Sequence, residues 1–378
     1  MRIGMITGEY PPMQGGVGDY TREMARALLI LGHEVHVITD VRCAEERPSS
    51  QLAVHPVSAD WGWRSCWNIK ALTDQLDLDL VNIQYQAAAY DLHPAINFFP
   101  LMSRRPVVVT FHDLKEPYFF PKAGPLRSWV VSLLARRADT AVVTNRADEL
   151  ELISRRVRRV ERIPIGSNIT PALPAGYDRD AWRARMHIGP EDFLLGFFGF
   201  FNSRKGVDTL IRATATLDPY HQILFIGGTV GSSDVTNRAY ADRMVALAEG
   251  LGLGDRVHFT GYVPAAEVSA AFAALDLCVL PYADGISFHH GTLMAALAHS
   301  QSIVSTLPRI GIPELIHGEN VWLVPRKDVS ALADAISTLA ANPIRRRHLA
   351  RGATRLSAQF MWEHIAERTA GLFESVQH

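Results

Sequence analysis

Arg204-Lys205-Gly206 follows an apolar run, Phe193 to Gly199, and opens a helical pattern from Val207 to Leu217. Two cations and a glycine at a strand's carboxyl end suit an anion, because charge-assisted hydrogen bonds and helix N–H groups converge there. A second group lies in the loop Pro281 to Gly291, which holds Asp284, Gly285, Ser287 and the pair His289 and His290. It precedes Thr292 to His299, a small-residue helix whose free N–H groups and positive dipole end favour phosphate. Gly291 leaves room for that approach, and Ala295, Ala296 and Ala298 let the helix lie close to its sheet. A plain strand-loop-helix unit with a solvated loop accounts for this stretch equally well. In the first half, Gln14-Gly15-Gly16-Val17-Gly18-Asp19 is a glycine-rich loop, and His112-Asp113 ends the run Val107 to Phe111. Glycines permit positive φ and close backbone approach. The loop reads GGxG, however, and lacks the third glycine of the dinucleotide fingerprint GxGxxG. Adjacent residues on an extended chain point in opposite directions, so His112-Asp113 is no ready-made dyad. His112 is read as touching substrate, the alternative being a structural hydrogen bond.

The elements that position these residues alternate. Strands are expected at Arg2–Thr7, Glu34–Thr39, Leu80–Gln84, Val107–Thr110 and Thr140–Thr144, with helices at Tyr20–Leu31, Arg127–Arg137 and Arg146–Arg155. The second half restarts with strands at Phe193–Gly199, Ile223–Gly228, Arg256–Thr260, Leu277–Leu280 and Ser302–Ser305, and a helix at Asn237–Gly250. Strand, glycine loop, helix, strand is the start of a doubly wound unit, and the order occurs in each half. Thr170 to Gly176 has a linker's composition. The expected domains are therefore residues 1–172 and 173–359, two Rossmann-like α/β units facing across a cleft.

Composition sets outer bounds. At 378 residues the chain exceeds what one core comfortably serves. A formal net charge of −1 gives no basic footprint, so nucleic acid is not an expected partner. Cys43, Cys66 and Cys278 have no metal-ligand spacing and suit reduced thiols in a cytoplasmic protein. No secretory signal and no apolar run of spanning length is evident. The pair His289 and His290 reads as surface, and no metal is expected. Two surfaces invite a membrane reading. Glu116 to Val131 is rich in aromatics and prolines, suiting an apolar acceptor, a bilayer surface, a lid or plain core. Arg155 to Arg162 is the densest positive cluster, read as a solvated helix end.

The chain resembles the retaining nucleotide-sugar glycosyltransferases of the GT-B type, close to glycosyltransferase family 4. The residues that carry the resemblance are EYPP at 9–12 and GGVG at 15–18 after the first strand, Phe111-His112-Asp113 and IPIGSN at 163–168. In the second half they are SRKGVDTLIRA at 203–213, HFTGYVP at 258–264 and GIPELIHGENVWLV at 311–324. Ser357 to Val376 resembles the terminal helix that crosses back to the first domain in such proteins, adding residues from about 360 to 378 to it. The resemblance implies that Gly15, Gly16 and Gly18 let their loop reach the donor phosphates or the acceptor. It places His112 near the transferred sugar, Lys205 on the donor diphosphate with Arg204 beside it, and Tyr262 and Val263 at the nucleotide base. Glu314 sits in the segment after the donor loop.

Two departures stand out. Phe200 occupies a position where the family commonly has arginine, and the family's two glutamates eight positions apart are missing. Aligned from Pro281 they fall near Asp284 and Thr292; aligned from the right they become Ser287 and Ala295. Asp284 is the only acid in the loop. The implied chemistry is transfer from a nucleotide-diphosphate sugar, a co-substrate rather than a resident cofactor, to a hydroxyl of a glycan, lipid-linked or small-molecule acceptor. An oxocarbenium-like transition state needs its leaving diphosphate stabilised, which Lys205 and the N–H groups near Gly291 and Thr292 suit. A sugar-nucleotide epimerase and a non-catalytic sugar-nucleotide or partner binder stay open as alternatives.

Overall fold

Strand-length apolar runs form two separate parallel sheets, because strands covered on both faces must be apolar throughout. The computed structural model describes residues 1–13, 15–43, 52–114, 125–228 and 235–377, and of residues 125–127 and 235–237 only the backbone. Unit 1 comprises Met1–Asn168 with Phe360–His378, and unit 2 comprises Ile169–Gln359. The chain thus changes unit just before Thr170, a few residues ahead of residue 172.

The strands of unit 1 are β1 (Arg2–Thr7), β2 (Glu34–Asp40), β3 (Leu52–Ser58), β4 (Leu80–Tyr85), β5 (Val107–Phe111), β6 (Thr140–Val143) and β7 (Val160–Arg162). They pair in the order β3-β2-β1-β4-β5-β6-β7, all parallel. Unit 2 holds β8 (Phe193–Phe198), β9 (His221–Ile226), β10 (Val257–Phe259), β11 (Leu277–Leu280), β12 (Ile303–Thr306) and β13 (Trp322–Val324). Their order is β10-β9-β8-β11-β12-β13, again parallel. Each sheet therefore reverses its winding once, between β1 and β4 and between β8 and β11. Chains leaving neighbouring strands there turn to opposite faces and open a crevice at the carboxyl ends, where such sheets bind ligands.

Two expectations are corrected. Arg155 to Arg162 is not a helix end: the helix stops at Ser154, and Val160–Arg162 is the edge strand β7. Two of its arginines are paired locally, Arg155 to Glu151 at 2.9 Å and Arg162 to Glu149 at 3.2 Å. The terminal helix begins later than Ser357, which instead closes the helix Pro343–Ser357; a new helix runs from Trp362 to Gln377. The aromatic segment 116–131 lies largely outside the described residues; Trp129 is half exposed beside Phe98. Among the described residues no helix is long and apolar enough to cross a membrane.

The helix Trp362–Gln377 completes unit 1. Ile365, Ala366, Leu372 and Phe373 share one core with Tyr20, Met24 and Leu28 of the helix Gly16–Ile30. Trp362 donates its indole N–H to the Ser167 carbonyl at 2.8 Å and covers Gly166, where a Cβ would stand 2.7 Å from the ring. Phe373 is fully buried, so Phe373→Ala removes a core side chain that the backbone cannot collapse around. The expected cost is about 3 kcal/mol or more, read as a lower urea midpoint of unit 1. An unchanged midpoint would mean that the helix is not part of that core.

Candidate functional site: the carboxyl ends at the two winding reversals

Behind β1 the chain supplies its own anion. The Glu9 carboxylate accepts hydrogen bonds from the N–H groups of Val17 (2.9 Å) and Gly18 (3.3 Å), the first turn of the helix Gly16–Ile30. Burial raises the Glu9 pKa, and those two hydrogen bonds pull it back in part. The glycines make this possible. A Cβ at Gly15 would stand 2.2 Å from the carboxylate, and one at Gly18 would stand 3.0 Å from the Glu9 carbonyl; at Gly16 nothing lies within 4 Å. Gly15 and Gly18 thus accommodate Glu9 of the EYPP stretch, a contact that no spacing in the sequence marked.

His112 follows β5, with its backbone N–H on the Tyr85 carbonyl at 3.0 Å. Its ring meets Tyr20 edge-on at 4.6 Å. Its Nε2 lies 2.9 Å from Gln84 Oε1. Gln84 donates in turn to Asn82 Oδ1, and Asn82 Nδ2 donates to Thr110 Oγ1 (3.0 Å) and the Val108 carbonyl (3.2 Å). A carbonyl only accepts, so the direction of the whole chain follows from its Val108 end. Nε2 of His112 carries the proton, and Nδ1 keeps its lone pair. Burial lowers the pKa to about 3, so the ring is neutral. Gln84, not Asp113, sets its tautomer.

Unit 2 is organised differently. Asn202 Oδ1 accepts from the N–H groups of Arg204 (3.0 Å) and Lys205 (3.2 Å), shaping the turn after β8. Gly206 follows with φ +69, and a Cβ there would stand 1.9 Å from the Pro281 carbonyl oxygen. Ala283 donates its N–H to the Arg204 carbonyl at 2.7 Å. The two loops leaving β8 and β11 are thus joined backbone to backbone. Lys205 is half-buried, and a Cβ on Gly199 (φ +104) would stand 3.0 Å from its Nζ and 2.6 Å from Thr292 Cγ2. The ammonium therefore lies beside the start of the helix Gly291–Ala298, which has no side-chain cap. No carboxylate pairs with Lys205 among the described residues, and burial alone lowers its pKa to about 8.

The loop over this ammonium is braced by Tyr282, which the sequence reading passed over. Its hydroxyl is 2.5 Å from Thr292 Oγ1, and its ring stacks on His290 at 3.9 Å. His290 is held well below its ordinary pKa by burial, helped by the charges of His289, Lys205 and Arg204. Its Nδ1 is buried with no hydrogen-bond partner among the described residues, as is Asp284 Oδ1. Ser287 Oγ lies 2.8 Å from His289 Nδ1. Gly291 is exposed, with nothing within 4 Å of a Cβ. Tyr262, in the bend after β10, is 74% exposed beside half-buried Val263, and half-buried Glu314, in the turn after β12, accepts from Asn320 Nδ2 through its carbonyl. Among the described residues no three His, Cys, Asp or Glu side chains are grouped to hold a metal.

Residues 15–166 match the family described as glycosyl transferase 4-like domain, and residues 192–342 match glycosyl transferases group 1. The chain belongs to the group 1 glycosyl transferases. It is 30% identical over 244 residues to a D-inositol 3-phosphate glycosyltransferase of Rhodococcus opacus (strain B4), a match covering 62% of this chain and 52% of the relative. The chain thus spans about half the length of that relative. To a phosphatidyl-myo-inositol mannosyltransferase of Mycobacterium leprae (strain TN) it is 26% identical over 407 residues, covering 100% of this chain and 97% of the relative. The structure of a sucrose-phosphate synthase from Thermosynechococcus elongatus superposes with a TM-score of 0.79 at 23% identity, covering 99% of this chain and 98% of the other. That likeness places this group 1 glycosyl transferase in the two-Rossmann GT-B fold.

The Glu9 contact carries a pH dependence with a definite sign. Glu9→Gln keeps an acceptor oxygen for Val17 and Gly18 and removes the charge. The folded-state pKa of Glu9 is raised from 4.5, so its contribution is fully present below the unfolded value and is lost as pH rises through the folded one. Urea unfolding from roughly pH 4 to 7 is expected to show wild type losing stability relative to the variant as pH rises. A constant difference would mean that the carboxylate is not held in that buried position.

Proposed function

We propose that this protein transfers a sugar from a nucleotide-diphosphate donor to a hydroxyl acceptor, sugar or lipid-linked, with retention of anomeric configuration. The observation that carries the reading is the half-buried Lys205 ammonium, unpaired among the described residues, beside the uncapped helix at Gly291. A cation desolvated without a counter-charge gains most from a multiply charged anion, and a departing diphosphate becomes more negative in the transition state. Lys205, with the N–H groups at Gly291 and Thr292, stabilises that leaving group, and Arg204 adds charge from the rim. The diphosphate in turn accepts the acceptor's proton, so the reading needs no protein base and no resident cofactor. Relatives named for D-inositol 3-phosphate and for phosphatidyl-myo-inositol support a polyol hydroxyl as acceptor, free or in a lipid.

The remaining roles follow from chemistry at each position. Asp284 and Ser287 stand where the family's first glutamate falls in the two alignments, and Asp284 has a buried oxygen able to accept from a donor-sugar hydroxyl. Tyr262 and Val263 meet the base, and Glu314 adjoins the donor loop. His112, neutral with a free lone pair on Nδ1, accepts from a sugar hydroxyl rather than protonating anything. Gly15, Gly16 and Gly18 form the backbone surface of the acceptor side. The reading includes a cytoplasmic location, with contact to a membrane's inner face where the acceptor is a lipid.

A thermal-shift screen against UDP, GDP, ADP and their sugar conjugates tests the donor site. A ligand at 100 times its Kd adds about 2.7 kcal/mol to the folded state. One nucleotide is expected to stabilise wild type and to lose that effect with Lys205→Ala, and kcat is expected to fall by roughly 10²-fold. Absence of any stabilising nucleotide would remove the reading. Lys205 titrates at about 8 when unliganded, and a bound diphosphate raises that value. Binding should therefore take up protons and weaken as pH rises above about 8. Calorimetry in two buffers of different ionisation enthalpy measures the uptake; none, at a pH just above that value, would separate Lys205 from the diphosphate.

A further inference from the structure

Arg309, Arg326 and Lys327 surround one open depression of about 510 Å3, whose remaining wall is Ala283. Arg309 belongs to the turn after β12, and Arg326 and Lys327 to the turn after β13. Leu307 N–H donates to the Val324 carbonyl at 2.9 Å and joins the two turns. The loop after β11 is pressed against the first of them: a Cβ at Gly285 would stand 2.7 Å from the Leu307 carbonyl and 3.1 Å from the Arg309 nitrogen. Backbone contacts therefore fix the spacing of the cationic wall.

Its charge is uncompensated. Among the described residues no carboxylate lies within ion-pair distance of Arg309, Arg326 or Lys327, whereas buried Arg183 and its neighbour Arg179 share Asp276. The acid next in sequence, Asp328, is committed to capping the helix Val329–Ala340 through the Ala331 N–H at 2.9 Å. Lys327 takes φ +59, a left-handed conformation that glycine or asparagine adopts more readily. Three like charges gathered on one wall repel one another, and an entering anion relieves that repulsion.

We propose that this depression binds a phosphate-bearing group other than the donor diphosphate. Resting on the sugar-transfer reading, it is the anionic group of the acceptor, whether a soluble polyol phosphate or a lipid headgroup. The sheet supplies the reason for separating it from the donor. Lys205 follows β8, whereas Arg309 follows β12 and Arg326 follows β13, two and three strands away in the order β8-β11-β12-β13. At roughly 4.8 Å per strand that is about 10–14 Å along the sheet edge, with the Ala283 loop, tied to the Arg204 carbonyl, standing between; the Lys205→Ala arm of the test below separates the two anions. Two guanidinium forks and an ammonium match the oxygens of a phosphate monoester or diester.

The test titrates inorganic phosphate calorimetrically into the full chain as wild type, as Arg309→Gln with Arg326→Gln, and as Lys205→Ala. The two arginines are exposed, and the double variant is expected to melt as wild type does. Phosphate is expected to bind wild type and Lys205→Ala alike, and to bind the double variant about tenfold or more weakly. The double variant should keep its nucleotide stabilisation. No phosphate binding to wild type, equal affinity in the double variant, or loss only with Lys205→Ala would overturn the site. If phosphate behaves as expected and no nucleotide stabilises the protein, the anion site stands and the transfer reading falls. Displacement of phosphate by glycerol 3-phosphate supports a soluble acceptor. Sedimentation with phosphatidylglycerol vesicles that is lost in the double variant supports a lipid one.

Discussion

The carbonyl oxygen of Pro281 and the α-carbon of Gly206 approach so closely that no side chain can come between them. Much of unit 2's chemistry depends on that contact. It lies where the sheet reverses its winding, so it joins two loops that leave β8 and β11 for opposite faces. With the Ala283 to Arg204 hydrogen bond it converts two surface loops into one rigid ridge. Lys205 stands beside Gly199 at its foot, and Ala283, part of the ridge, lines the cationic depression. Gly199, Gly206 and Gly285 all take positive φ along it, where a left-handed turn without a Cβ is needed.

The carboxyl ends at the two winding reversals differ in how their polar groups are satisfied. In unit 1 the helix behind β1 is satisfied by Glu9, and His112 ends a relay of amides that starts at a backbone carbonyl. At β8 and β11 of unit 2, Asp284 Oδ1 and His290 Nδ1 are buried without partners and Lys205 has no counter-ion among the described residues. Buried polar groups are ordinarily satisfied, and exceptions call for an explanation. On the sugar-transfer reading proposed above, the donor's hydroxyls and diphosphate are the partners that Asp284 and Lys205 lack among the described residues. An anion approaching the Gly16 helix would instead meet the Glu9 carboxylate, which is why the proposed donor site lies in unit 2.

Much of this was legible in the chain because parallel strands are written as unbroken apolar runs. Leu277–Leu280 agrees with its expected limits, and β1, β4 and β5 agree within a residue. The strands that escaped notice are at edges. β3, LAVHPVS, is mostly half-buried and contains histidine and proline; β7, VER, is three residues inside a run of arginines. An edge strand is covered on fewer sides, so its composition drifts toward that of a loop. Within the candidate site the same distinction holds. Lys205 and the glycines were visible because they sit in contiguous motifs. The contacts of Glu9, Gln84 and Tyr282 were not, since each residue acts through a partner far along the chain or across a turn, and spacing alone does not pair them.

The helix Trp362–Gln377 belongs to unit 1 but is encoded after all of unit 2. During synthesis at roughly 5–20 residues per second, about ten to forty seconds separate the emergence of Asn168 from that of Trp362. Throughout that interval the face formed by Tyr20, Met24 and Leu28 lacks the Ile365 and Phe373 that cover it. Unit 2 therefore has all of its residues while unit 1 still waits for Phe360–His378. The nascent chain presents a sticky apolar groove of known composition for a defined time, which is the circumstance in which a ribosome-bound chaperone has most to do.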